Sequence, residues 1–417
     1  MSRWEVVAFS LNDVVGSGVY LLPAAAALAL GTASPWAVLL AGLAVSLVVL
    51  CFAEAASLFD RPGGAYVYTR AAFGDFVGFE VGWMTWLARL TSVASLTAGF
   101  AQALSAVWPG AATGFGRVAT IFLVILALTL INLVGVKAGT RTSTVLAIGK
   151  ITPLVLLIAV GLFALDAGRL GPATVPDLRG LGEVALLLLF AYAGFENTAA
   201  PAGEFRNPRR DVPFALLVTI GIVTALYTLI QLVALGTVPD LAHARTPLAD
   251  SAGLLLGPTG VWLLTVGALV SILGTNNNTM LAGPRYLYAL AASGRLPSSL
   301  ARIHPRWHTP HVAILVQSTL ALPLALSGTF VGLAALSAIA RLATYVGTAA
   351  AVPVLRRKMP ATDRTVRLPG GPAIPVAALA LCTLFLASAE PRNWLAGAIA
   401  LAVGAALYVA HRSVPLP

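Results

Sequence analysis

The sequence predicts an all-α polytopic membrane protein. Of its 417 residues, 58% are hydrophobic and only 10% are charged, well below the roughly 25% charged residues of a typical soluble domain. Apolar runs of about 20 residues, the length needed to span a bilayer, recur from one end of the chain to the other. They leave no stretch large enough for a soluble domain, so we expect residues 1–417 to form one membrane domain.

The individual spans are predicted from apolar stretches bounded by charged residues, prolines and glycines. A segment at 241–256 is too short to cross a bilayer and is mildly amphipathic, so we expect it to lie on the external surface. The remaining stretches give about twelve transmembrane helices, near residues 5–30, 34–59, 74–107, 118–136, 143–166, 182–203, 211–236, 258–292, 311–327, 330–356, 371–389 and 393–411.

The distribution of the 26 lysines and arginines predicts the orientation. With the N-terminus inside, the predicted external loops hold only Arg117, Arg169, Arg179, Arg245 and Arg392. Cytoplasmic loops of membrane proteins carry the excess of basic residues, which predicts a multi-pass protein of the cell membrane with both termini cytoplasmic. The net charge of +10 is then a topology signal. We expect the lipid bilayer as a partner and no nucleic acid.

Two predicted spans are interrupted near the middle of the membrane. The first contains "LNDVVGSGVYLLP" at 11–23, and Gly16 lies roughly 20 Å along the helix from Arg3. The sixth contains "LLFAYAGFENTAAPAGE" at 188–204, with Gly194 at a similar depth. Spans one and six run in opposite directions, and matched interruptions of this kind are typical of an inverted repeat of five spans each. We expect the repeats to occupy 1–166 and 182–358, with 371–411 outside both.

Interrupted helices expose backbone groups that can bind a ligand. Unwinding of Gly16, Ser17 and Gly18 would free N–H groups and a hydroxyl for a carboxylate, since helix N-termini favour anions. Carbonyls freed around Ala193 and Gly194, together with those ending the first half-helix, would accept bonds from an ammonium group. A zwitterionic amino acid fits both. The alternative is that the glycines only allow close helix packing.

Four longer stretches resemble one known family. "GSGVYLLP" at 16–23, "RPGGAYVYTRAAFG" at 61–74, "GFENTAAPAGEFRNPRRDVPFAL" at 194–216 and "GPRYLYALAASGRLPSSLARIHPRWHTPHVAI" at 283–314 resemble segments of amino acid permeases of the amino acid/polyamine/organocation superfamily. The resemblance runs from about residue 5 to 358. It implies a ten-helix inverted-repeat core with broken helices 1 and 6, plus two peripheral helices.

The resemblance also implies a function. We expect a secondary active transporter that moves amino acids across the cytoplasmic membrane by alternating access, without sodium and coupled to a proton or to exchange. Export, or transport of a polyamine or organic amine, remains open, and a membrane receptor or channel is the alternative of a different class. We expect no enzyme, because the intramembrane charges include no recognisable nucleophile–base or metal set.

Lys150, in "IGKITPLVLLIAVG" at 148–161, is a candidate for proton coupling. It lies too deep to reach the membrane surface easily. The motif resembles span five of sodium-independent permeases, where a lysine approaches the unwound first helix and takes the place of sodium. Burial could bring its protonation within reach during transport. The alternative is a permanently charged lysine that only steadies the carbonyls of the first helix.

Two carboxylates next to the interruptions are further candidates. Glu196 resembles a family glutamate and is expected to bridge helices near a gate, in a coupling, gating, substrate-binding or purely structural role. Asp13 lies one helical turn before Ser17, hence near the substrate. There it would favour a second amine on the substrate or an amine without a carboxylate. The alternative is an ion pair between Asp13 and Arg89 or Arg341.

Aromatic side chains beside the interruptions are candidates for a lid. The resemblance suggests that Tyr192, Phe195 and Tyr20 close over bound substrate, although aromatic residues there can also simply pack. The polar run Asn276–Asn278 is a secondary candidate for the pathway. Apart from a possible coupling proton, no cofactor is expected. We also expect no metal, since prolines prevent one regular helix through His304, His308 and His311.

Overall fold

Helices are the only regular secondary structure in the described part of the protein. The computed structural model describes residues 2–60, 63–135, 140–171, 178–199, 205–359 and 365–411, and within these ranges there is no β-strand. A backbone in hydrocarbon must satisfy its N–H and C=O groups internally, and a helix does so within one segment. The predicted all-α class is therefore confirmed.

Among the described residues, the first part of the chain forms seven helices. They are α1 (Arg3–Val14), α2 (Gly18–Leu30), α3 (Ser34–Ala56), α4 (Ala65–Phe73), α5 (Asp75–Leu104), α6 (Gly114–Val134) and α7 (Thr140–Gly161). Of these, α1, α2 and α4 are short. The helices of the second part are α8 (Leu178–Tyr192), α9 (Pro208–Thr237), α10 (Pro247–Ala292), α11 (His311–Ser327), α12 (Phe330–Lys358), α13 (Ala373–Ala387) and α14 (Pro391–Ala410).

Most of these bounds lie within a few residues of the predicted spans. The short helix α4 falls between two predicted spans and was not predicted, and two further differences are informative. The segment predicted at 241–256 contributes a helical part that is continuous with α10 apart from a kink at Gly257, where φ is 66°. Glycine permits this left-handed backbone without steric cost. In the predicted span 182–203, α8 ends at Tyr192, and beyond it the structure describes only turns and one 3-10 turn, up to Ala199.

Several of the helical stretches are long and apolar enough to cross a membrane. By length and composition they are Gly18–Ala56, Gly114–Val134, Pro208–Thr237, Pro247–Ala292, Phe330–Lys358 and Pro391–Ala410, and shorter apolar helices accompany them. Together with the all-helical fold, these stretches are those of a polytopic membrane protein.

Helix α5 lies at the centre of the packing, with its largest contacts against α10 and α12. Small polar residues hold α5 and α12 together at two levels. The hydroxyls of Thr85 and Thr344 are 2.8 Å apart, as are those of Ser92 and Ser337. Small hydroxyl residues allow backbones to approach closely in a membrane and hydrogen-bond across the contact. By contrast, Gly404 is the only buried residue described in α14, which places that helix at the periphery.

Candidate functional site

The first predicted interruption is present in the structure. Helix α1 ends at Val14 and α2 begins at Gly18, and residues 15–17 are bends between them. A helix end leaves carbonyl groups without partners, and a helix start leaves N–H groups without partners. Both kinds of group therefore meet at this point in the buried interior.

The carbonyls that end α1 are already bonded by neighbouring side chains. The ammonium of Lys150 donates to the carbonyl oxygens of Asn12 at 2.8 Å and Val15 at 3.3 Å, and to the hydroxyl of Thr275 at 3.0 Å. The Ser271 hydroxyl also donates to Val15, at 3.0 Å. The contact expected between Lys150 and the first helix is thus formed. The Lys150 ammonium occupies carbonyl groups that are expected from the sequence to bind the ammonium of a substrate.

A glycine in α10 makes room for Lys150. A Cβ atom added at Gly274 would lie 3.2 Å from the lysine Cε and 3.3 Å from Nζ. Lys150 itself is fully buried. The ammonium is therefore fixed against α1 and α10 together, where a movement of either helix would change its hydrogen bonds.

The start of α2 has the opposite character, because it presents hydrogen-bond donors rather than acceptors. Ser17 is fully buried, and its hydroxyl has no hydrogen-bond partner in the described part of the chain. The carbonyl of Ser17 accepts the N–H groups of Tyr20 and Leu21, so Gly18 and Val19 begin the helix as the residues whose N–H groups have no acceptor in the preceding turn. A hydroxyl and a helix start together form an anion-binding arrangement.

The second interruption packs directly on the first. Gly194 has φ of 124°, and a Cβ atom at this position would lie 2.7 Å from the carbonyl oxygen of Asp13. Similarly, a Cβ atom at Gly18 would lie 2.9 Å from Cα of Ala191. Both glycines are therefore required for packing, whether or not they also bind a ligand.

A small cavity lies where the two interruptions meet. Its volume of about 20 Å³ is room for about one water molecule. Six predicted binding residues line it: Asp13, Gly16, Ser17, Gly18, Ala193 and Gly194. Three others, Tyr192, Phe195 and Glu196, are not among the lining residues. The lining also includes Arg89, Ser92, Leu96, Phe190, Thr275, Thr279 and Arg341.

The aromatic residues proposed as a lid pack elsewhere in this conformation. The Tyr192 hydroxyl donates to the Val38 carbonyl at 2.8 Å. Phe195 stacks on Tyr345 with ring centroids 5.3 Å apart. The Tyr20 hydroxyl donates to the carbonyl of Lys150 at 3.3 Å. The aromatic ring that does line the cavity is that of Phe190.

Asp13 does not form either predicted ion pair. Its carboxylate accepts a hydrogen bond from the Asn197 amide, and neither Arg89 nor Arg341 is paired with it. Both arginines instead pair with Glu196. Asp13 is therefore a buried carboxylate on the cavity wall, and its one side-chain partner among the described residues is the neutral amide of Asn197.

Glu196 joins the second interruption to two other helices. One of its oxygens accepts from Arg89 on α5 at 2.9 Å and from Arg341 on α12. The other accepts from the Gly194 N–H at 2.9 Å and from the Tyr345 hydroxyl at 3.2 Å. The expectation that this glutamate bridges helices agrees with these contacts, which make Glu196 the centre of a buried charge cluster.

Some lining residues were not identified from the sequence. Arg89 and Arg341 were noticed only as possible partners of Asp13. Thr275 and Thr279 flank the Asn276–Asn278 run, at positions that share one helix face, and this spacing was an available signal. Asn276 itself donates to the Thr97 hydroxyl at 2.9 Å rather than lining the cavity.

Comparison with known proteins covers almost the whole chain. Residues 1–405 match the sequence model of a family described as amino acid permease. In Bacillus subtilis strain 168, the methylthioribose transporter is 28% identical over 98% of this chain and 92% of its own length. From the same organism, the branched-chain amino acid permease BcaP is 28% identical over 93% and 87%, and the serine/threonine exchanger SteT is 30% identical over 95% and 92%. Because the family match is nearly complete, the chain belongs to the amino acid permeases of the amino acid/polyamine/organocation superfamily.

Proposed function

We propose that this permease is a secondary active transporter that moves amino acids across the cell membrane by alternating access, without sodium. Family membership makes the chain a multi-pass membrane protein of amino acid transport rather than an enzyme. The proposal adds a mechanism, with a twelve-helix, five-plus-five inverted-repeat architecture and both termini cytoplasmic. The basic residues, concentrated in the predicted cytoplasmic loops, support that orientation.

The main support is the start of α2, where hydrogen-bond donors meet the cavity. The buried Ser17 hydroxyl has no partner among the described residues and lies on a cavity lined by both interruptions. A buried donor left without an acceptor costs stability. A bound substrate carboxylate would supply the acceptor and so recover that stability. Asp13 on the same cavity wall supplies an acceptor for the substrate ammonium. A zwitterion therefore completes the hydrogen bonding of this site.

Lys150 supports the absence of sodium coupling. In the sodium-coupled relatives implied by the resemblance, a metal ion occupies the position beside the unwound first helix. Here an ammonium already bonds the carbonyls of Asn12 and Val15. A second cation beside it would be repelled at close range. We propose that a proton, exchanged through Lys150 or Glu196, or a counter-transported substrate drives the cycle.

The small size of the cavity supports alternating access. A space of about 20 Å³ has no room for an amino acid, so substrate entry requires the lining helices to separate. Because the lining comes from α1, α2, α5, α8, α10 and α12, a movement of the interrupted helices against the others would open it. Such rigid-body rocking of one bundle against another is the usual transporter mechanism.

Counterflow in sodium-free proteoliposomes tests the proposal. Vesicles loaded with an unlabelled amino acid mixture and diluted into labelled amino acid should accumulate label transiently and saturably, while protein-free vesicles should not. Label that equilibrates without transient accumulation and without saturation would indicate a channel. Counterflow that appears only after sodium is added would overturn sodium independence.

A further inference from the structure

We propose that Arg89 selects substrates that carry a negative charge in addition to the amino acid backbone, so that acidic amino acids are the preferred substrate class. This inference rests on the proposed function, because it assigns the side-chain end of the same cavity. It places the substrate α-carboxylate at Ser17 and the start of α2, the α-ammonium at Asp13 and the side-chain carboxylate at Arg89.

The two arginines of the cavity are almost completely buried. Arg89 is 1% exposed and Arg341 is 5% exposed, and both contribute to the cavity lining. Charged side chains in the interior of a membrane protein are costly and mark substrate pathways more often than simple packing. A pair of them on the wall of the central cavity therefore calls for a compensating negative charge.

The described residues supply only part of that compensation. In and beside the cavity they place three cationic side chains, Arg89, Arg341 and Lys150, and two carboxylates, Asp13 and Glu196. With every group in its charged form, the cations exceed the anions by one. A neutral zwitterion leaves this excess unchanged and a cationic substrate increases it. An acidic amino acid, with a net charge of −1, removes it.

The two arginines differ in the use of their donors. Each of the three guanidinium nitrogens of Arg341 has a partner: Nη1 donates to Glu196, Nη2 donates to the Ser92 hydroxyl at 2.7 Å and Nε donates to the Ser337 hydroxyl at 3.3 Å. Arg89 donates from Nη2 to Glu196, but its buried Nε has no partner in the described part of the chain. Of the two, Arg89 therefore has the guanidinium nitrogen that can bind a further acceptor.

The position of Arg89 along α5 fits a substrate with two separated carboxylates. Arg89, Ser92 and Leu96 follow one face of α5 along the cavity. One turn further on, a Cβ atom at Gly99 would lie 3.4 Å from the Ser17 side chain. Arg89 and Gly99 are about 15 Å apart along the helix axis, and the long arginine side chain covers part of that distance. Ser17 and Arg89 thus lie toward opposite ends of the site.

This assignment gives Asp13 a different role from the one suggested by the sequence. A lone carboxylate beside the substrate pocket would favour a second amine. In the structure, however, Arg89 and Arg341 line the same cavity as Asp13. The second end of the site is therefore cationic, and Asp13 is left to accept the α-ammonium that every amino acid carries.

Counterflow with matched pairs of acids and amides tests the inference on the wild-type protein. L-glutamate is compared with L-glutamine, L-aspartate with L-asparagine, and L-lysine represents the cationic class. Each acid and its amide have nearly the same shape, so their ratio isolates the charge. We expect each acid to compete at least about tenfold better than its amide, since charge-assisted bonds to arginine are the stronger ones. Amides or lysine competing as well as the acids would overturn the inference.

Variants of α5 identify the group responsible. Arg89→Gln should reduce the acid-to-amide ratio to near one, whereas Arg89→Lys should retain part of it. Ser95→Ala is the matched control, because Ser95 is a buried residue of α5 that bonds the Phe330 carbonyl and does not line the cavity. It should keep the wild-type ratio. An Arg89→Gln protein that still exchanges substrate with an unchanged ratio would refute the role of Arg89.

The wild-type panel also separates failure of this inference from failure of the proposed function. If neutral amino acids exchange and acidic ones do not, the inference is refuted and the proposal of amino acid transport still stands. If no amino acid of any class exchanged or stabilised the purified protein, the proposed function would fall, and this inference with it. The wild-type result holds even if Arg89→Gln fails to fold.

Discussion

Replacing Glu196 by glutamine should destabilise the protein strongly. The substitution keeps the shape of the side chain but removes the negative charge shared by Arg89 and Arg341. It also places an NH₂ group where one carboxylate oxygen now accepts a hydrogen bond. Both guanidinium groups would remain buried beside each other without their counter-ion.

The size of the effect follows from the burial of the cluster. Glu196 is 4% exposed, and its two oxygens accept bonds from Arg89, Arg341, Tyr345 and Gly194. Removing one partner of a buried ion pair costs about 3–5 kcal/mol. At about 2 °C per kcal/mol, the lower end of the range for large domains, the midpoint of thermal unfolding should fall by roughly 6–10 °C.

The assay is the fraction of monodisperse protein that remains after heating in detergent, measured by size-exclusion chromatography. Because unfolding of membrane proteins is commonly irreversible, the heating time is held constant. Glu80→Gln is the matched control, since both oxygens of the Glu80 carboxylate are buried without a hydrogen-bond partner among the described residues. It should leave the midpoint unchanged or raise it. Equal midpoints for Glu196→Gln and the wild type would refute the claim that Glu196 holds the cluster together.

Three further substitutions test the site. Ser17→Ala should weaken amino acid binding about 10–100-fold, the equivalent of one hydrogen bond to a charged group. The free energy of unfolding should change by no more than about 0.5 kcal/mol. A loss of stability without a loss of affinity in ligand titrations would contradict a binding role. If the wild type accumulates substrate under an imposed pH gradient and Lys150 carries the proton, Lys150→Ala should abolish that accumulation. Full proton-driven uptake by the variant would show that Lys150 does not couple transport. Asp13→Asn should weaken binding of all amino acids by about tenfold or more; unchanged affinities in the same titrations would exclude Asp13 as the ammonium ligand.

The interruptions of the helices were predictable because their cause is local. Glycines and polar residues in the middle of an apolar run, as at Gly16 and Ser17, weaken a helix whatever its tertiary contacts are. Gly194 adopts a backbone conformation that favours glycine, so its residue type also carries information. The predicted spans agree with the helices for the same reason, since hydropathy and helix-breaking residues are properties of short segments.

The partners of the buried charges were not predictable in the same way. Asp13, Arg89 and Arg341 come from three different helices and Glu196 from the turn after α8, and a sequence does not show which of them face one another. Glu196 takes both arginines because α5 and α12 meet beside the second interruption. The rotation of each helix about its axis decides which charged side chains face one another. Apolar spans with little amphipathicity give almost no indication of that rotation.

The aromatic residues proposed as a lid also show that the facing of a side chain was not predictable from the sequence. Tyr192 and Phe190 are two positions apart on α8, so they point to different sides of the helix. Tyr192 bonds the Val38 carbonyl, while Phe190 lines the cavity. Proximity in sequence to the interruption predicted the correct region but not the correct ring.

The most direct test of the account is an experimental structure of the protein with a bound amino acid. The α-carboxylate should lie within hydrogen-bond distance of the Ser17 hydroxyl and of the N–H groups that begin α2, and the ammonium should lie beside Asp13. Lys150 should still contact the end of α1 or be displaced from it only by the motion of that helix. An amino acid bound away from the two interruptions, with the Ser17 hydroxyl free, would contradict the central claim.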